Sequence, residues 1–216
     1  MPRVLVTGFE PFAQDTYNPS WAAAQLLQDD PPDGMEVTAV QLPCVFGESL
    51  KVPREAVLET DPLLVVSLGL SPRDGISVER VAINVNDCPI PDNAGHQPVD
   101  EPVVADGPVA YFSTLPLKRC VAEVQKQTAL RSEVSQTAGT FVCNHVFYGL
   151  MHLLATEDKQ RRGGFVHIPH TPEMPAAANQ SVPSLPVEDT ARGLRVVLST
   201  ALAHDTDIAV PAGATH

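Results

Sequence analysis

The chain has 216 residues, 44% of them hydrophobic and 19% charged, which is enough apolar content for a substantial core and rules out disorder throughout. Its formal net charge of −12 argues against nucleic acid and anionic membrane as partners. No apolar run approaches the roughly 18 residues that a membrane span needs, and Arg3-Val-Leu-Val-Thr7 follows the start without a secretory leader pattern, so a cytoplasmic protein with a single domain over residues 1–216 is expected.

The predicted elements follow in chain order. Val4-Leu-Val-Thr7 reads as a buried strand ended by Gly8, and Phe9 to Tyr17 as a loop with three aromatics. Asn18 before Pro19 is a helix start, with the helix running to about Gln28. Val37 to Leu42 is a second strand. Phe46 to Thr60 is helical, with a kink or restart expected at Pro53. Leu63 to Leu68 is a third buried strand, ended by Gly69. This strand, helix, strand order predicts an α/β fold with a parallel sheet. Ser77 to Val85 is β-rich, and Asp87 to Pro102 is a long loop of the kind that serves a site or a subunit contact. Leu117 to Thr128 is a helix and Glu133 to Gln136 a short strand. Thr140, Phe141 and Val142 favour extended backbone, and the apolar spacing of Val146, Phe147, Leu150, Leu153 and Leu154 predicts a helix behind them. Gly163-Gly164 open a strand, Phe165 to Ile168, ended by Pro169. Thr171 to Pro186 is loop, Val187 to about Leu202 a helix, and the tail from Asp205 is expected to fray.

Cys143 stands where the extended segment turns into the helix. Amide donors at a helix start lower a thiol's pKa, and the thiolate is the nucleophile; the other reading is a buried structural cysteine. The remaining cysteines, Cys44, Cys88 and Cys120, form no CxxC pair and no finger spacing, so free thiols are expected, with no metal and no cofactor. A cysteine nucleophile needs a base, and the base an orienting group. Of the seven histidines, His145 and His152 lie on the helix of Cys143, facing elsewhere or too far along. His167 lies near a strand end, where α/β sheets place their sites, with a hydrogen-bonded half-buried histidine as the plain alternative and His170 as a local competitor. Their spacing of three could suit a metal, weakly. Glu79 sits inside a strand-like run, where it is solvated on one face, paired with a neighbour such as Arg80, or functional. Phe9 and Phe12 either close over a small apolar ligand or pack in the core. Walker A, GxGxxG, GxSxG and HExxH patterns are absent.

Six stretches taken together resemble one family, the pyroglutamyl (pyrrolidone-carboxylate) peptidases of type I, which are cytosolic cysteine peptidases. They are Val6-Thr-Gly-Phe-Glu-Pro-Phe12, Asn18-Pro-Ser20, Val78-Glu-Arg-Val-Ala-Ile-Asn84, Ile90-Pro-Asp-Asn93, Ala138-Gly-Thr-Phe-Val-Cys-Asn-His145 and Gly164-Phe-Val-His-Ile-Pro169. The resemblance implies a three-layer α/β/α sandwich of phosphorylase/hydrolase-like type with a mostly parallel twisted sheet. It implies Cys143 as nucleophile, His167 as base and Glu79 as the residue orienting it. It implies removal of an N-terminal pyroglutamyl residue from peptides or amides by a homo-oligomer, a dimer or tetramer. In that case Phe9, Phe12, Phe141 and Val142 sandwich the lactam ring, Asn18 offers it an amide, and Leu70 and Ile90 complete the pocket. The loop from Phe9 to Tyr17 is expected to move when empty.

Two departures from the family stand out. An arginine usually precedes Ile-Pro-Asp-Asn, and here Pro89 occupies that place. The Gly-rich turn after the third strand is replaced by the shorter Gly69-Leu-Ser-Pro-Arg73. The missing arginine motivates a competing expectation, a lactam-binding protein without turnover. A nucleoside phosphorylase-like enzyme rests on fold analogy alone.

Overall fold

The computed structural model describes residues 1–157, 160–175 and 182–214. The chain begins with β1 (Arg3–Phe9), α1 (Pro19–Asp29), β2 (Glu36–Leu42), α2 (Glu48–Thr60) and β3 (Leu64–Leu70). It continues through β4 (Ile76–Glu79), β5 (Val81–Ile83), β6 (Ala110–Phe112), α3 (Leu117–Thr128) and β7 (Ser132–Ser135). It closes with α4 (Val142–Thr156), β8 (Arg162–Ile168) and α5 (Val187–Ala203).

The main sheet has the order β2-β1-β3-β8-β4-β7. The first four strands are mutually parallel, β4 is antiparallel to β8, and β7 is parallel to β4. β5 and β6 form a small antiparallel sheet. Successive strand residues point to opposite faces, and both faces are covered. Val4, Val6, Val66, Leu68 and Val166 pack with Leu27, Val124, Leu194 and Val197 of α1, α3 and α5. Leu5, Val65 and Phe165 pack with Val57, Val146, Phe147 and Leu150 of α2 and α4. Double coverage is why these strands read as unbroken apolar runs. The result is the expected three-layer α/β/α sandwich.

Several local expectations need correction. β1 runs through Gly8 to Phe9 and β3 through Gly69 to Leu70, so neither glycine ends its strand. A Cβ on Gly8 would lie 2.3 Å from the Ser20 carbonyl oxygen; the glycine lets the first turn of α1 rest on the strand. Phe9 therefore belongs to β1 and not to a loop, and is buried in the core. α2 passes through Pro53 without a restart, because only the bond to the Ser49 carbonyl is forgone. The β-rich run splits at Arg80 between two sheets, and Gly163-Gly164 lie within β8 rather than before it. No strand leads into Cys143: β7 stops at Ser135, Gly139 takes a positive φ of 76° and Val142 already belongs to α4, so that Phe141 keeps the expected extended backbone as the N-cap.

The tail is docked rather than frayed. The Asp207 carboxylate accepts from the amides of Lys118 and Arg119, supplying the cap that Pro116 cannot, and the Ala214 amide donates to the Val134 carbonyl on the outer edge of β7. Of the expected loop from Thr171 to Pro186, residues 176–181 lie outside the described residues.

Candidate active site

His167 is near the C-terminal end of β8 and shares its face with Phe165, the ring centroids 4.9 Å apart. The antiparallel β4 sets Ser77 opposite His167, and Glu79 follows two residues later on the same face. Its Oε1 lies 2.7 Å from His167 Nδ1. A carboxylate only accepts, so Nδ1 carries the proton and Nε2 keeps a free lone pair. Glu79 is fully buried, which excludes the solvated alternative. Nor does it pair with Arg80: Arg73 Nη1 donates to the same Oε1 at 2.6 Å. A buried carboxylate needs such partners, since isolation would cost several kcal/mol.

Cys143 is the second residue of α4, and the N-cap residue Phe141 makes no side-chain cap. The first amides of the helix, including that of Cys143, thus point outward without a side-chain acceptor. A Cβ on Gly69 would lie 2.9 Å from Cys143 Sγ and 2.7 Å from Phe165 Cζ, and Gly69 pairs directly with His167 across the β3–β8 ladder. The bare glycine is what brings the thiol down to the sheet beside the histidine strand. Burial pushes the thiol above its ordinary range, Cys44 and Glu79 add to this, and Arg73 opposes it. The expected lowering by the helix start is thus outweighed, and the resting group is a neutral thiol.

The two residues after the cysteine fix the helix start. The Asn144 amide accepts from the Ile83 amide and donates to the Ile83 and Val85 carbonyls. The Gly47 amide donates to His145 Nε2, so Nδ1 carries the proton and donates to Asn86 Oδ1 at 3.0 Å. Burial lowers the pKa of His145 to about 4. His145 is a neutral structural group, and the His152 ring is engaged with the Tyr111 hydroxyl.

The proposed ring-binding residues divide into two sets. Phe12 and Phe141 meet edge-to-face with centroids 5.5 Å apart, and Phe46, which sequence reasoning missed, meets Phe141 at the same distance. Phe9 and Val142 are buried in the core beneath them. Leu70 ends β3 opposite Ile168. Ile90 is 48% exposed in a long loop that is tied to Thr140 through Asp87. Asn18 is the N-cap of α1, its Oδ1 accepting from the Ser20 amide and hydroxyl and its Nδ2 donating to the Glu10 carbonyl. The long loop also clasps its neighbours. Asn93 accepts from the Ala13 amide and donates to the Glu10 side chain and the Pro11 carbonyl, while Asp92 accepts from the amides of Phe46, Ala94 and His96. This clasp fixes residues 10–13 of the predicted mobile segment and leaves residues 14–17 exposed. The motif residues Asp92 and Asn93 signalled it in the sequence; for Phe46 there was no signal.

A sequence model described as pyroglutamyl peptidase matches residues 2–204. The chain is 54% identical to a pyrrolidone-carboxylate peptidase of Streptomyces coelicolor and 49% identical to one of Escherichia fergusonii, in each case over the whole of both chains. The crystal structure of pyroglutamyl peptidase I from Bacillus amyloliquefaciens superposes with a TM-score of 0.93 at 43% identity, covering 97% of this chain and 99% of the other. The pyrrolidone carboxyl peptidase of Thermococcus litoralis gives 0.91 at 30% identity, covering 98% and 100%. With model, sequence and structure agreeing over nearly its full length, the chain belongs to the pyroglutamyl peptidase family.

Proposed function

We infer that the protein is a cysteine omega-peptidase that removes an N-terminal pyroglutamyl residue from peptides or amides through a thioester acyl-enzyme. The observation that carries the assignment of roles is the buried 2.7 Å contact between Glu79 and His167, on the strand next to the glycine that seats Cys143 Sγ. His167 Nε2 takes the thiol proton as Sγ attacks the pyroglutamyl carbonyl carbon. The Cys143 amide donates to the oxyanion. The imidazolium, stabilised by Glu79, passes its proton to the leaving amine as the C–N bond breaks. Water then loses a proton to His167 as it attacks the thioester, and collapse releases pyroglutamate and returns the proton to sulfur.

Phe12 and Phe141 offer the lactam ring an apolar wall, supported by Phe9 and Val142 below, with Leu70, Ile90 and the remaining Asn18 N–H at the rim. An ordinary charged N-terminus is rejected because its ammonium would lose its hydration in an apolar slot. A lactam-binding protein without turnover finds no support in the comparisons. No helix among the described residues is long and apolar enough to cross a membrane. The net charge of −12 supports a cytoplasmic protein that binds neither nucleic acid nor anionic membrane. The whole chain acts as one domain. Val109 and Phe112, exposed at and beside β6, support a homo-oligomer, a dimer or tetramer, through that face.

The test is release of a fluorescent amine from a pyroglutamyl amide beside the prolyl and glutaminyl amides. Cleavage of the pyroglutamyl compound alone, abolished in Cys143→Ala, is expected. Absence of turnover by folded protein overturns the reading and points to Pro89 and the short turn.

A further inference from the structure

The catalytic scheme leaves one guanidinium beside the Glu79–His167 pair without a task. Arg73 lies in the turn between β3 and β4, its side chain 17% exposed. Nη1 donates to Glu79 Oε1 and, at 2.9 Å, to Ser135 Oγ, while Nη2 donates to the Thr137 carbonyl at 2.7 Å. Ser135 is the partner of Glu79 in the β4–β7 ladder. From there the chain turns toward Cys143, with Thr137 N bonded to Ser135 Oγ and Gly139 N to Thr137 Oγ1. One side chain therefore grips both the carboxylate and the turn that leads to the nucleophile.

We propose that Arg73 is a positioning residue for the hydrolysis: it holds the Glu79 carboxylate in the orientation that receives His167 Nδ1–H, and it ties that carboxylate to the 135–139 turn ahead of Cys143. The proposal rests on the hydrolytic reading above. Glu79 has no exposure, and its Oε2 has no hydrogen-bond partner. Without the guanidinium at Oε1, only His167 Nδ1–H still holds the carboxylate, and its tie to Ser135 and Thr137 is gone. A carboxylate free to turn no longer fixes the tautomer that leaves Nε2 free, and the base is impaired. The guanidinium also shares Oε1 with the imidazole, so a change in its charge is felt directly at the pair. Other titratable or charged groups near this pair include Cys143 of α4, with Cys44 near it, Glu133 of β7, which accepts from Ser77 Oγ, His170 after β8, and Arg80 after β4, whose guanidinium donates to the Ala212 carbonyl. None of these donates to Glu79 in place of Arg73.

The test compares wild type, Arg73→Gln, Arg73→Lys and Cys143→Ser, reading kcat and KM for the pyroglutamyl amide across pH, with an NMR titration of the His167 imidazole in substrate-free protein. Removing a charge in contact with the pair is expected to move the acid limb of kcat/KM up by about one pH unit or more. In Arg73→Gln, kcat falls ~10–100-fold, in the range of other positioning partners, with KM little changed, and the imidazole takes up its proton at higher pH. Arg73→Lys restores the acid limb but not the full kcat, because one ammonium cannot hold Glu79, Ser135 and Thr137 together. A folded Arg73→Gln with wild-type kcat and acid limb, beside inactive Cys143→Ser, overturns the proposal and leaves the hydrolytic reading standing. If Arg73→Gln does not fold, the lysine variant decides: reduced kcat with an unmoved limb supports the proposal, and wild-type kcat ends it. An inactive wild type ends the hydrolytic reading, and the catalytic role of Arg73 with it.

Discussion

Gly69→Ala isolates the contact on which the candidate site depends. The added methyl would stand 2.9 Å from Cys143 Sγ and 2.7 Å from Phe165 Cζ, whereas carbon and its neighbours settle near ~3.5–4 Å. The Phe165 ring is held from behind by Phe147, with centroids 5.8 Å apart, and its neighbour in the site is His167. The less confined thiol has to give way, retreating by roughly half to one ångström. A displacement of ~1 Å at a reacting atom costs ~10²-fold in rate. Gly69 has no positive φ, so the substitution adds no backbone strain, and the overpacking itself should cost about 1–3 kcal/mol. The expected outcome is a folded protein with lowered thermal midpoint, kcat/KM for a pyroglutamyl amide down ~100-fold, and Cys143 still alkylated by a small reagent. Wild-type kcat/KM in Gly69→Ala would mean that the thiol does not work from its seat over the β3–β8 ladder, and the geometric argument for His167 as its base would fail.

Other expectations follow from the same contacts. His145 is held neutral by burial, its pKa lowered from 6.5 to about 4. Between these values the unfolded chain binds a proton that the folded chain refuses, so stability is full above pH 6.5 and falls as pH drops, by about 2 kcal/mol between pH 7 and 5. Urea unfolding at both pH values checks this, and His145→Gln should flatten the dependence. Asn144→Asp keeps the acceptor for the Ile83 amide but turns a carboxylate toward the Ile83 and Val85 carbonyls. It should cost about 2–4 kcal/mol and loosen the start of α4, read by unfolding and by faster amide exchange there. Asp207→Ala removes the cap on α3 and should cost about 0.5–2 kcal/mol without changing KM, measured by denaturant titration and steady-state kinetics.

What the sequence revealed and what it concealed have different physical origins. Strands β1, β3 and β8 were legible because burial on both faces leaves nothing but apolar side chains, as in Val4 to Val6 and Leu64 to Val66. The helix start at Pro19 was legible because its cap is local: Asn18 bonds Ser20 two residues on. Cys143 at the start of α4 and His167 near a strand end could be placed from periodicity alone. Their partners could not. That Glu79 faces His167 depends on β4 entering the sheet antiparallel to β8, and no local pattern encodes strand order. Arg73 is six residues from Glu79 along the chain, but its other contacts, Ser135 and Thr137, are more than sixty away. Gly69 looked like a strand end because nothing in β3 indicates that a helix start from far along the chain will press on it. The tail looked unstructured because its anchors, Asp207 and Ala214, bond only to the distant backbone of α3 and β7.

The electrostatics of the site favour a nucleophile that is formed on demand. Burial raises the Cys143 thiol above its usual range, so at neutral pH sulfur keeps its proton, in contrast to cysteines whose thiolate is preformed beside an imidazolium. Two donors, Arg73 and His167, meet at one oxygen of Glu79, so the carboxylate is shared between a guanidinium and the imidazole. The raised thiol makes a thiolate–imidazolium pair unfavourable in the empty site. In the proposed reaction a bound lactam changes the balance, because its carbonyl offers the sulfur a carbon on which the negative charge can move to an oxygen facing the α4 amides. Proton transfer and attack are then coupled, and the charge separation that the empty site resists is stabilised only when a substrate carbonyl is there to accept it.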